Sequence, residues 1–174
     1  MDYAEMIKKG AIFLYPTDTV CGLGCSALSN NAVARLLDIK GRENKPLSLA
    51  FYDMEMVAKY TNITKDQKEL IEEKLPGPYT FIVRKNPRIP DIVTAGLKTV
   101  GVRIPNHEIR KLIKGVGTPI ITTSANKAGE PAPARLEEVS EEIREAVDFV
   151  FNASEGSGRP SKIVDLTTGK ILRQ

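Results

Sequence analysis

The chain has 174 residues, 41% of them hydrophobic and 27% charged, with a formal net charge of +3. That length fits one domain, and no apolar run approaches the roughly 20 residues needed to cross a bilayer as a helix. The opening Met1-Asp2-Tyr3-Ala4-Glu5 has neither the basic region nor the apolar core of a signal peptide, so a cytoplasmic protein is expected.

Strand-like and helix-like stretches alternate along the chain. Ala11 to Tyr15 reads as a buried strand bounded by Gly10 and Pro16, and the segment from Tyr15 to Gly24 as a glycine-containing loop. Asn31 to Ile39 places Ala32, Val33, Leu36, Leu37 and Ile39 at helical spacing. Leu47 to Tyr52 is a second strand. Asp53 to Tyr60 and Lys65 to Lys74 suit helices with Asp53 and Thr64 as N-caps, and Pro76-Gly77-Pro78 is a stop. Tyr79 to Arg84 and Val100 to Ile104 are strands separated by a Pro-rich connection. His107 to Lys114 is a helix, Pro119 to Thr123 a strand, and Leu136 to Val147 one acidic amphipathic helix. Phe149 to Asn152, Ile163 to Leu166 and Lys170 to Leu172 complete the strands, with a turn at Thr168-Gly169. The rhythm is not strictly βαβ, which predicts an α/β domain with a mixed, parallel and antiparallel, sheet. The loops 86–98 and 127–134 are expected to be the mobile parts.

Charge is unevenly placed. Glu137, Glu138, Glu141, Glu142, Glu145 and Asp148 cluster in one stretch, while cations recur at segment ends and in loops, among them Lys40, Arg42, Lys45, Arg84, Arg103, Arg159 and Arg173. A positive cleft for phosphates or RNA is expected from that pattern. Cys21 and Cys25 are the only cysteines and His107 the only histidine, and no metal-ligand spacing is present. The thiols are expected to be reduced, and His107 to be a surface residue at a helix start. No Ser-His-Asp or Cys-His arrangement can be built, so covalent catalysis is not expected.

Five segments suit a ligand. Tyr15-Pro-Thr-Asp-Thr-Val-Cys-Gly-Leu-Gly24 offers hydroxyls, a carboxylate and glycines that let backbone N–H groups approach an anion. It is neither a Walker loop nor a dinucleotide fingerprint. Lys40-Gly-Arg42 sets an ammonium and a guanidinium beside a glycine, although cations at a helix C-terminus also serve its dipole. Arg103 sits in an otherwise apolar strand and needs a carboxylate partner, from the protein or from a ligand. Thr122-Thr-Ser-Ala-Asn126 places a hydroxyl and an amide where a buried strand opens into a loop. Gly156-Ser-Gly-Arg-Pro-Ser161 enters another strand.

Taken in order, these segments resemble the YrdC-like family, the threonylcarbamoyl-adenylate synthases, over nearly the whole chain, read as one YrdC-like domain spanning 1–174. The resemblance rests on Tyr15-Pro-Thr-Asp-Thr with Gly22-Leu-Gly24, Lys40-Gly-Arg42 with Lys45-Pro-Leu47, Pro76-Gly-Pro-Tyr-Thr80, Val102-Arg-Ile-Pro105, Thr122-Thr-Ser-Ala-Asn126 and Pro160-Ser161. It implies a twisted mixed sheet flanked by helices with a positively charged concave cleft. The implied reaction joins L-threonine, bicarbonate or CO2, and ATP into threonylcarbamoyl-AMP and pyrophosphate. Mg²⁺ is implied on the ATP phosphates, with no dedicated protein site. A transferase partner would then modify tRNA beside the anticodon.

The resemblance also implies roles. Thr17, Arg103, Thr122 and Ser161 match contacts to threonine, with Arg103 on its carboxylate. Lys40, Arg42, Thr99, Ser124, Asn126 and Arg173 match the nucleotide side, and Lys40, Arg42, Ser124 and Asn126 form the implied catalytic set. This sequence departs from the family's pattern at Cys21 (commonly tyrosine), Lys45 (asparagine), Ala50 (histidine in some relatives), Ala132 (serine) and Lys162 (threonine). Two other readings stay open at this point. One is a non-catalytic module binding tRNA or double-stranded RNA. The other is the related carbamoyl-adenylate chemistry of a domain within a larger enzyme.

Overall fold

The computed structural model describes residues 2–41 and 45–174. The chain runs α1 (Tyr3–Lys8), β1 (Phe13–Tyr15), β2 (Gly22–Gly24), α2 (Asn30–Ile39), β3 (Ser48–Ala50), α3 (Met54–Tyr60), α4 (Lys65–Lys74), β4 (Tyr79–Arg84), α5 (Asp91–Thr94), β5 (Thr99–Arg103), α6 (Ile109–Val116) and β6 (Ile120–Ser124). A 3₁₀ turn (Leu136–Glu138), α7 (Glu141–Ala146), β7 (Phe149–Val150), β8 (Lys162–Asp165) and β9 (Lys170–Arg173) complete it. Among the described residues nine strands form one sheet in the order β7-β1-β2-β6-β3-β5-β4-β8-β9. The pairs β1/β7, β3/β5 and β4/β8 are parallel and the others antiparallel, so the mixed sheet expected from the sequence is what forms.

Strand side chains alternate between faces, and here the alternation separates two environments. Leu14, Leu23, Leu49, Phe81, Val83, Val100, Val102 and Ile121 point to one face and join the larger core, together with Val33 and Leu36 of α2, Val57 of α3, Ile71 of α4 and Ile143 of α7. On the other face Phe13, Tyr15, Ala50 and Ile120 pack with Ile7 of α1 and Ile109, Leu112, Ile113 and Val116 of α6. Beyond them that second face carries the small or polar Ser48, Thr80, Gly101, Arg103 and Thr122, with Ile82 and Ile163 beside them. A concave polar surface is therefore left beside the α1/α6 layer.

Local chemistry explains most boundaries. Asp53 and Thr64 are the N-caps the sequence predicts: Asp53 accepts from Met56 N, and Thr64 forms a capping box with Gln67. Four expectations are corrected. Helix α1, not read from the sequence, is capped by Asp2 and buries Ile7 against α6. The glycine loop contains β2. The acidic helix breaks in two at Val139, which is extended and buried in the core, while the Glu138 carboxylate caps the preceding turn by accepting from Ala134 N (2.7 Å) and Arg135 N (3.3 Å). The 86–98 connection carries α5 and is tied down by Lys85 Nζ, which donates to Ile89 O and to Asp91 Oδ1 at 2.6 Å.

Strand β2 exists because aromatic rings take the place of its side chains. Phe13 faces Gly24 and Tyr15 faces Gly22 in register. A Cβ on Gly24 would lie 2.5 Å from the Phe13 ring, and that ring is itself stacked on Phe149 at 5.3 Å. Gly24→Ala gains backbone rigidity, typically about 0.4–1 kcal/mol, but forces overpacking that costs about 1–3 kcal/mol. The expected outcome is net destabilisation of about 1–2 kcal/mol, read as a lower urea midpoint. A raised midpoint would show that the ring does not constrain this position.

Candidate active site

The polar surface forms a cavity of about 380 Å³, within the size range of small-molecule sites. Its floor is low because Gly101 has no side chain: a Cβ there would sit 2.5 Å from Ser48 Oγ and 3.1 Å from the Thr80 methyl. Seven of the residues expected to touch substrates line it, namely Thr17, Thr99, Arg103, Thr122, Ser124, Ser161 and Arg173. They come from the β1–β2 connection, β5, β6, the approach to β8, and β9. The sequence brings them together only through the sheet order.

Hydrogen bonds fix most of these side chains. Tyr15 Oη donates across Gly22 to Thr122 Oγ1 at 3.0 Å. Thr17 Oγ1 donates to Val20 O (2.8 Å) and lies 2.9 Å from Thr19 Oγ1. Ser161 Oγ is 2.8 Å from Thr80 Oγ1 and accepts from Arg173 at 3.1 Å, while Arg173 Nε donates to Ser161 O at 2.7 Å. Arg103, 8% exposed, donates to Asp18 Oδ1 at 2.9 Å and to Thr19 Oγ1 at 3.4 Å. This answers the sequence-level demand for a carboxylate partner with one from the protein. Arg103 Nε is buried with no hydrogen-bond partner.

The lining carries two guanidiniums, Arg103 and Arg173, and no carboxylate among the described residues. Burial, with the Arg103 charge adding to it, lowers the Arg173 pKa. An anion placed between them relieves that repulsion.

The expected catalytic set is only partly on the cavity wall. Ser124 lines it, whereas Lys40 and Asn126 are not among the described lining residues. Lys40 is 2% exposed, and its ammonium donates to Ser124 O (2.5 Å) and Asn126 O (2.8 Å). The Lys40 ammonium is thus held behind the β6 terminus. Asn126 Nδ2 donates to Glu130 O at 2.7 Å, and its Oδ1 is buried without a partner. Arg42 lies outside the described residues.

Of the departures, Cys21 and Ala132 line the cavity, and Ala50 is buried in the α1/α6 layer. Lys45 and Lys162 are exposed. Sequence reasoning missed three partners: Asp18, Thr80 and Tyr15. Each lies inside a quoted motif, but only the sheet register shows which side chain it meets. The 127–134 segment, expected to be mobile, is tied to the site by Cys21 N donating to Pro133 O at 2.8 Å and Ala128 N to Lys40 O at 3.1 Å.

Both cysteines are free and buried, as the composition led us to expect. Burial pushes Cys25 up to about 12 and Cys21 up to about 11. Tyr15 is likewise pushed up to about 12 by burial, against the lowering effect of its bond to Thr122. His107 caps its own helix start, Nδ1 accepting from Ile109 N (3.2 Å), while Nε2 lies 2.7 Å from Ser154 O.

A mixed sheet with one face part-covered, and a hydroxyl-lined cavity holding two arginines, defines a protein built to hold a small anionic ligand. The chain belongs to the Sua5/YciO/YrdC family, whose sequence profile, described as "Telomere recombination", matches residues 5–174. It is 34% identical to the threonylcarbamoyl-AMP synthase of Chromohalobacter salexigens, over 99% of this chain and 95% of that protein. It is 33% identical to that of Klebsiella pneumoniae, over 97% and 92%. The crystal structure of Pyrococcus abyssi Sua5 complexed with L-threonine superposes with a TM-score of 0.88 at 35% identity, covering 94% of this chain. This chain spans about half the length of that protein, 49%. Among the described residues no helix is long and apolar enough to cross a membrane.

The buried acids set a pH dependence. In the unfolded chain Cys25 and Tyr15 ionise near their ordinary values of 9.0 and 10.0, whereas the folded protein holds both protons until about 12. Above pH 9 the unfolded state therefore binds fewer protons, and stability present in full below that pH falls as pH rises towards 12. Urea midpoints from about pH 8 to about pH 11 should decline, and Cys25→Ala should make the decline shallower. A flat wild-type profile would show that these groups are not held neutral by burial.

Proposed function

We propose that the chain is a threonylcarbamoyl-AMP synthase, converting L-threonine, bicarbonate or CO2, and ATP into threonylcarbamoyl-AMP and pyrophosphate. The observation that carries this reading is the pair Arg103 and Arg173 on one wall of hydroxyls that also includes Ser124, Thr122, Thr17 and Ser161. An amino-acid carboxylate and a nucleotide phosphate are two anions, and the wall offers a cation to each. The relatives named threonylcarbamoyl-AMP synthase over nearly the full chain support the same reading. A small hydroxyl-lined cavity also suits amino acid and nucleotide better than the phosphates of tRNA or double-stranded RNA.

The neutral amine of threonine adds to CO2 and gives a carbamate, releasing one proton to solvent. A carbamate oxygen then attacks the α-phosphorus of ATP, and the bond to the bridging oxygen breaks with loss of pyrophosphate. Nothing here needs a protein nucleophile, so catalysis rests on positioning and charge stabilisation. Arg103 would take the threonine carboxylate, with the hydroxyls of Thr17, Thr122 and Ser161 beside the amino acid. Thr99, Ser124 and Arg173 would face the nucleotide, with Lys40 and Asn126 holding the β6 terminus; Arg42 is assigned to the nucleotide by the resemblance alone. The cavity's donors are hydroxyls, backbone groups and guanidiniums, which fits Mg²⁺ carried by the triphosphate rather than by protein carboxylates. We take the product to pass to a transferase that modifies tRNA.

Pyrophosphate release from ATP should require both threonine and bicarbonate, each omitted in turn. Arg42→Ala should reduce turnover on the order of 10²-fold. Release that persists without threonine, or none under any condition, would sink the assignment.

A further inference from the structure

We propose that Asp18 is a positioning residue that sets the Arg103 guanidinium for recognition of the amino-acid carboxylate; this rests on the function proposed above. A flexible arginine loses rotamer freedom when it is held for a ligand, and it binds best when that freedom is already spent. Asp18 does this from a fixed base. Its Oδ1 accepts from Arg103 at 2.9 Å and its Oδ2 from Asn106 N at 3.3 Å. Its backbone is pinned by the 153–161 strap, with Ser157 N donating to Asp18 O and Gly158 N to Thr19 O at 2.7 Å. Gly156 lets the strap lie this close, since a Cβ there would fall 2.2 Å from Thr17 O and 2.6 Å from Asp18 O.

The pairing is incomplete by design. Asp18 and Thr19 engage one terminal nitrogen of Arg103, while Nε stays buried and unpartnered. A polar N–H in that state is costly unless a ligand completes it. The protein's carboxylate thus holds one part of the guanidinium and leaves Nε–H unsatisfied.

Two roles for Asp18 predict opposite signs. If it only supplies counter-charge, removing that charge relieves repulsion against a bound carboxylate and tightens threonine binding. If it positions Arg103, removing it weakens binding. Asp18→Asn places an amide N–H₂ against either Arg103 or Asn106 N, so one of the two donors loses its acceptor.

The test is calorimetric binding of L-threonine, of L-threoninamide (which lacks the carboxylate) and of a non-hydrolysable ATP analogue to wild type and Asp18→Asn. We expect the threonine Kd to rise at least about tenfold, with the Kd for threoninamide and for the ATP analogue unchanged. In an Arg103→Gln background Asp18→Asn should add nothing, since Asp18 acts only through Arg103. Asp18→Glu keeps the charge but moves it by one methylene, and should show the same selective loss if geometry is what matters. Unchanged or tighter threonine binding, an equal loss for threoninamide, or an additive effect in the Arg103→Gln background would overturn the assignment. A wild type that binds no threonine at all would instead overturn the functional reading, and this one with it.

Discussion

A guanidinium set on a sheet face must find negative charge or remain in water. Arg103 stands at the end of β5 with 8% of its surface exposed, and removing an unpaired charge from water is far more costly than any single packing gain here. The structure meets this demand by bringing the β1–β2 connection over β5, so that Asp18 reaches Arg103 at 2.9 Å. Much of the site follows from that placement. The Thr17–Thr19 turn is held in position, the 153–161 strap docks on its carbonyls, and the strap delivers Ser161 to the cavity. Replacing such a pair by apolar side chains is often neutral or stabilising in a core, but here it would leave Arg173 as the one guanidinium among the described lining residues.

The second constraint is steric. Tyr15 reaches Thr122, two strands away, only because Gly22 between them presents no side chain; a Cβ there would lie 3.1 Å from the tyrosine ring. The same economy appears at Gly101, beneath Ser48 and Thr80. These glycines are needed less for backbone freedom than for space. One keeps a hydrogen bond across the sheet, and the other keeps the cavity floor open.

Much of this was legible in the residues. Apolar periodicity located the larger helices and most strands, and the caps at Asp53 and Thr64 were readable from residue type. The elements that escaped have physical reasons. Gly22-Leu-Gly24 has no strand propensity of its own, since its packing is supplied by Phe13 and Tyr15 from the neighbouring strand. Helix α1 is six residues long, too short to announce itself by period, and is held by its contact with α6. The break after Glu138 comes where Val139 turns extended to enter the core. In the site, motif order found residues that line one cavity. It did not find which of them are spent on each other. Lys40 reads as a cation for the nucleotide, yet its ammonium sits on carbonyls 84 and 86 positions away.

That fixed ammonium bears on how the chemistry is divided. Among the described lining residues there is no histidine and no carboxylate. Of the titratable side chains of the wall and its backing, Cys21 and Tyr15 are pushed up to about 11 and about 12. At neutral pH both keep their protons, so neither serves as a base or as a nucleophile. What remains is permanent positive charge at Arg103 and Arg173, neutral hydroxyls, and a β6 terminus pulled into place by Lys40. Such a wall can align anions and stabilise charge that moves between them, and among its described lining residues none is placed to take a proton from a reacting group. On the proposed reaction these residues hold the substrates dry and aligned.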